Sequence, residues 1–126
     1  MSLARRIAAP LLLASAVLIL AQSSTESAHV EKEKIKSLRL GYSQSKRAMT
    51  KAKSAAAPKI AFANTAAAYG TAIMNATSYT DRAKKYRDAL HLFREALKAD
   101  PTNKEAKENK DLIEGIYKQL GKKIPD

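Results

Sequence analysis

Side chains suited to acid–base, nucleophilic or metal chemistry are few in this chain of 126 residues, and their spacing argues against each of those roles. There is no cysteine, which excludes thiolate zinc sites, iron–sulfur clusters, disulfide scaffolds and cysteine nucleophiles. The two histidines, His29 and His91, are too few for a multi-histidine metal site or for Ser-His-Asp chemistry. His91 falls opposite the apolar face of its segment and is expected in solvent. The carboxylates Asp88, Glu95, Glu108 and Glu114 alternate with Lys and Arg along helical stretches. That is the pattern of an ion-pair-laced surface, and no two of them stand apart as an acid and base couple. Asn75-Ala76-Thr77 fits the N-glycosylation triplet, which has meaning only in a eukaryotic secretory host. No phosphate loop or nucleophile motif is present. The reading is of a non-enzymatic chain with no catalytic residue, cofactor or metal.

The charge is more informative than the reactive groups. Lys and Arg number 23 against 12 Asp and Glu, a formal net charge of +11. It is concentrated. Residues 31–59 hold nine basic side chains (Lys32, Lys34, Lys36, Arg39, Lys46, Arg47, Lys51, Lys53 and Lys59) against Glu31 and Glu33, whereas residues 60–126 hold twelve basic and nine acidic ones. Within the basic segment, Lys46, Arg47, Lys51 and Lys53 form the densest candidate patch for an anionic surface. Lipid headgroups or a cell-wall polymer suit it better than nucleic acid, because Tyr42 is the only aromatic residue interleaved with the charges. The alternative is a helix face that is merely solvated.

The elements that carry these residues follow from composition and period. Residues 1–23 place Arg5 and Arg6 before an uncharged, largely apolar stretch from Ile7 to Ala21, then Ala21-Gln22-Ser23. This is the pattern of a signal peptide cleaved after Ser23. The apolar stretch is shorter than the roughly 20 residues a membrane-spanning helix needs. Export to the periplasm or secretion is therefore expected, with an uncleaved membrane anchor as the alternative. Residues 24–30 show no period and are expected to be a disordered leader. Residues 31–57 repeat Ile35, Leu38, Tyr42, Met49, Ala52 and Ala56 at helical spacing. Gly41 and nearby serines leave open one helix with a soft centre or two short ones. The run 55–58, Ala-Ala-Ala-Pro, closes that segment, and 58–126 forms the remaining domain.

Within that domain, 58–76 carries Ile60, Ala63, Ala67, Gly70, Ile73 and Met74 on one stripe, and 82–99 carries Ala83, Tyr86, Ala89, Leu90, Phe93, Ala96 and Leu97 on another. A polar connector at 75–81 joins them. Asp100-Pro101 stops the second helix, and Thr102 with Glu105 has capping-box spacing for a third. That helix, about 104–120, is expected to bury Ala106, Ile113, Ile116, Tyr117 and Leu120, with Leu112 on its flank and Gly121 as its C-cap. No strand-like alternation competes. The fold class is all-α, and the length suits one domain of about four or five helices.

The run 89–101, ALHLFREALKADP, places Ala89, Phe93, Ala96 and Pro101 at spacings of four, three and five, with Tyr86 just before them. Upstream, Tyr69, Gly70 and Ile73 supply a large, small, large pattern. Together these residues resemble the second and first helices of a tetratricopeptide repeat. The resemblance spans about residues 63–120 and is strongest over 86–101. It departs from the family in placing Ala66 where tryptophan is common and in lengthening the inter-helix spacing by seven residues. It implies an antiparallel helical hairpin of tetratricopeptide type, flanked by the basic N-terminal helix and a C-terminal capping helix. It also implies a protein or peptide partner held in a groove lined by Asn64, Ala67, Thr71, Met74 and Asn75. The opposing possibility is that these residues pack against the segment 31–57. Such arrays need about three repeats, and one is evident, so flanking helices or self-association must complete the packing. The functional expectation is a non-catalytic interaction or assembly module, with electrostatic binding of an anionic surface through 31–59 as the alternative.

Overall fold

The computed structural model describes the backbone of residues 8–126 and the side chains of residues 24–126. Of the expected signal peptide, residues 1–7 lie outside the described residues, and only the backbone is described for 8–23. Among the described residues the chain forms four helices and no strand: α1 (Ala8–Lys51), α2 (Ala56–Asn75), α3 (Arg82–Ala99) and α4 (Lys104–Gln119). The all-α class is as expected. Among residues 24–126, whose side chains are described, no helix is long and apolar enough to cross a membrane.

The helix ends follow from local chemistry. Lys53, with φ at +50°, turns the chain out of α1. Pro58 then sits third in α2, where its missing N–H is one of the four that no helix satisfies internally. Asp81 caps α3 by accepting from the Lys84 amide at 3.0 Å. At the far end, Gly121 adopts φ of +62°, its N–H reaching the Lys118 carbonyl and the Lys122 N–H reaching that of Tyr117, the paired bonds of a Schellman ending.

Three expectations about these elements are corrected. Residues 24–30 are helical, part of one helix that runs unbroken through Gly41, so they are not a disordered leader. The divide between 57 and 58 falls inside the first turn of α2. The cap of α4 is Asn103, whose side chain accepts from the Ala106 amide at 2.9 Å. Thr102 instead donates its amide and hydroxyl to the Asp100 carboxylate, and Glu105 reaches across to α2. A shorter local bond to Asp100 removes Thr102 from the capping position.

The core lies between α2 and α3 and is closed at one end by α4. Ala63, Ala66, Ala67, Ala89, Ala96 and Ala106 are fully buried, and around them pack Phe62, Leu90, Phe93 and Ile113. The ring of Phe93 lies so close to α2 that a Cβ added to Gly70 would stand 2.7 Å from its Cε1. Glycine there is a packing requirement. The stripes read from sequence are largely these residues, with exceptions. Ile60 is 48% exposed and Ala83 lies in solvent, because both precede the region where α2 and α3 meet; Phe62 and Leu92 are buried in their place.

On α1 the half-buried positions include Ala28, Glu31, Ile35, Leu38, Tyr42, Ser45 and Met49, which alternate spacings of three and four, with Gly41 and Ser43 half-buried beside Tyr42. This seam lies along α2 in the antiparallel sense, with Glu31 at Thr77 and Ser45 at Thr65. Ala52 follows the helix and Ala56 belongs to α2, so neither extends the seam. Ile116 and Leu120 are exposed, against expectation. The α4 packing seam runs through Ala106, Ile113 and half-buried Tyr117, and the polar contacts that α4 makes with α2 go no further than Asn109.

Candidate functional site

Because α1 and α4 both rest on α2, a cleft of about 520 Å³ opens between them. Its floor is the alanine-rich face of α2 and its C-cap, where Ala68, Ala72 and the cap residue Ala76 put little bulk above the backbone. One wall is α1, with Val30, Lys34, Ile35 and Leu38; Glu105 of α4 contributes to the other. Thr71 and Asn75, two of the expected groove residues, line it. The other three do not. Ala67 is fully buried in the core and Met74 packs against the core. Asn64 is bonded through its side-chain oxygen to Asn103 at 2.9 Å. Their register on α2 turns them toward α3 or the start of α4, so the groove is set by the alanine positions between them.

Thr71 is held rather than free. Its hydroxyl donates to Glu105 at 2.6 Å and accepts from the Asn109 amide at 2.9 Å, tying α4 to α2 at the cleft edge. At the opposite end Glu31 closes α1 onto the α2–α3 connector. Its carboxylate accepts from the Thr77 amide at 3.0 Å, the Thr77 hydroxyl at 2.7 Å and the Ser78 amide at 2.9 Å. Hydrogen bonds from Ser78 and Thr77 bring its pKa from the ordinary 4.5 down to about 2. The Thr77 hydroxyl of the glycosylation triplet is thus engaged in the fold.

On the other side of α1 a polar node joins it to α3. The Tyr42 ring packs on Phe62 and Tyr69, at 5.5 and 5.8 Å between centroids, and its hydroxyl donates to the Glu95 carboxylate. Lys46 Nζ lies 2.8 Å from Glu95 and 3.1 Å from the Tyr42 oxygen. Burial pushes the Glu95 carboxyl up, but the hydrogen bonds from Lys46 and Tyr42 outweigh it and hold it below its usual range. The bond to Glu95 raises Lys46, and burial together with Glu95 raises Tyr42. His91 is 67% exposed at its side chain, as expected of a solvated residue, and its Nε2 stands 3.8 Å from Glu95.

This node alters the predicted anionic-surface patch. Lys46 is committed to Glu95, whereas Arg47, Lys51 and Lys53 are exposed and make no ion pair among the described residues. Arg47 and Lys51 share a shallow hollow with Lys46, but Lys53 lies beyond the helix in the turn. Elsewhere the surface carboxylates pair along their helices, Lys84 with Asp88, Lys107 with Asp111 and Lys110 with Glu114. Among the described residues no group of carboxylates and histidines is spaced to hold a metal ion.

Sequence reasoning missed Glu31, Tyr42 as a donor, and Asn103. Glu31 reaches a partner 46 positions away and Tyr42 one 53 positions away. Only an acid at a seam position of α1 was a signal, since a Glu on a packing face favours a partner. Compared with models of protein families, with curated proteins and with solved structures, the chain matches none.

Proposed function

We propose that this protein is a non-catalytic interaction or assembly module, exported from the cytoplasm, that holds a protein or peptide partner in the cleft between α1, α2 and α4. The cleft carries the reading: a floor of alanines, the apolar Val30, Ile35 and Leu38, the bonded pair Thr71 and Glu105, and the exposed Asn75 and Lys34 suit a chain segment of mixed character. The tetratricopeptide-type hairpin is supported by the fully buried Ala89, Phe93 and Ala96 and by the close approach of Phe93 to Gly70. Export is supported by the basic and apolar pattern of residues 1–23. Known tetratricopeptide arrays bind through first helices, and here α1 takes the place of a preceding repeat.

The test is a photoreactive residue at Asn75, exposed beside the cleft, and another at Lys98, exposed away from it. Irradiation in the native host is expected to join one reproducible protein to position 75 and not to position 98. No adduct at 75, or the same adducts at both, overturns the reading.

A second reading rests on one observation. Lys32, Lys36, Arg39, Arg47 and Lys51 recur along one flank of α1, and among the described residues only Lys36 of these meets a carboxylate, Glu33 at 3.8 Å. Such a stripe suits an anionic lipid or cell-wall surface. Neither reading calls for nucleic acid.

A further inference from the structure

We propose that the hollow where α1 ends, α2 begins and α3 ends binds one small anionic amphiphile, a single alkyl chain carrying an anionic head. Its volume is about 340 Å³. That is near the lower end of the roughly 300–1,000 Å³ of small-molecule sites, and less than one turn of a helix about 10 Å across occupies. Three helices build it from the same residue types. Lys46 and Met49 stand one turn apart on α1, Lys59 and Phe62 one turn apart on α2, and Lys98 precedes Ala99 on α3. Phe62 is buried, and Met49 and Ala99 are half-buried against the core, so the floor is apolar and held in place.

Charge selects what lies on that floor. The one carboxylate of the hollow, Glu95, is taken by Lys46 at 2.8 Å and by the Tyr42 hydroxyl. Lys59 from α2 and Lys98 from α3 meet no carboxylate among the described residues. The neighbouring chain supplies none. No Asp or Glu occurs between Glu33 and Asp81, and Asp100, next to Ala99, accepts from the Thr102 amide and hydroxyl. The lining therefore sets two unpaired ammonium groups beside an apolar floor. A free inorganic anion would meet the ammoniums and leave Met49 and Ala99 wet, whereas an uncharged chain would cover the floor and leave the ammoniums unmatched. An amphiphile satisfies both, with the lysine stems lying along its chain and their heads on its anionic group.

None of these lining residues lines the cleft or belongs to the basic stripe from Lys32 to Lys51, so this proposal and the readings above can fail separately. The methionines, Met1, Met49 and Met74, give the readout, because only Met49 lines the hollow. In methyl NMR spectra of the full chain with labelled methionine, decyl phosphate kept below its micelle concentration is expected to shift the Met49 signal saturably and leave that of Met74 in place. Inorganic phosphate, the head alone, and decanol, the chain alone, should each bind at least several-fold more weakly. Lys59→Gln combined with Lys98→Gln should weaken decyl phosphate by about ten-fold or more, with the Met74 signal unchanged as the sign of an intact fold. A Met49 signal that does not move, phosphate or decanol binding as tightly as decyl phosphate, or full affinity in the double variant would each overturn the proposal.

Discussion

A methyl group on Gly70 has nowhere to go. It would press on Phe93, whose ring is fully buried and cannot swing aside, so Gly70→Ala is expected to cost about 1–3 kcal/mol of packing strain, partly offset by about 1 kcal/mol of helix propensity. The same change at Gly115, which meets nothing within 4 Å, should stabilise by up to about 1 kcal/mol. Urea unfolding of the two variants should move the midpoint in opposite directions, and matching shifts would contradict the packing described. Glu31 offers a second residue-level test. Its pKa is depressed from 4.5 to about 2, so its contribution to stability is complete above pH 4.5 and disappears as pH falls through about 2. Thermal unfolding should show the parent more stable than Glu31→Gln at pH 6, with the gap closing between pH 4.5 and 2. A constant gap would mean that the carboxylate charge is not what holds the connector. Gly70 and Phe93 were legible as a spacing pattern. Glu31 was visible only as an acid on an apolar seam, since no local rule connects it to a connector 46 positions away.

Among the elements, α3 was the most legible, because Asp81 and Asp100-Pro101 bracket an unambiguous helical period. The start of α4 was legible in position but not in mechanism. Both Thr102 and Asn103 are capping residue types one position apart, and the choice depends on Asp100 binding Thr102 and Asn64 receiving the Asn103 amide. Asn103→Ala should therefore cost about 1–2 kcal/mol, the range for a lost N-cap, while Thr102→Ala changes stability by less. Equal losses in chemical denaturation would return the cap to Thr102. The cleft was legible at two of its five expected positions. Thr71 and Asn75 line the cleft, whereas Asn64, Ala67 and Met74 do not, because α4 meets α2 at Asn64 and Thr71.

At the scale of the whole molecule, charge and shape are divided between two sides. The cleft lies on one flank of α1 and the exposed bases Arg39, Arg47 and Lys51 on the other, so partner binding and surface attraction need not compete. Reversing Lys32, Arg39, Arg47 and Lys51 to Glu should abolish sedimentation with anionic vesicles at low ionic strength while leaving position-75 crosslinks intact; vesicle binding that survives reversal would remove the electrostatic reading. Lys46→Glu is unsuitable for that purpose, since it would break the bridge to Glu95 and loosen α1 itself. The length of α1 carries a final implication about timing. Its backbone is helical without interruption from Ala8 to Lys51, and so across the bond after Ser23. A peptidase acts on unwound chain, and proteolysis concentrates where backbone is exposed and unordered. Helix growth takes nanoseconds per residue, far faster than any enzymatic encounter. On the proposed export reading, cleavage after Ser23 would be set by how often the helix around Ser23 frays, which would make the local helix propensity of residues 20–27 a throttle on that step.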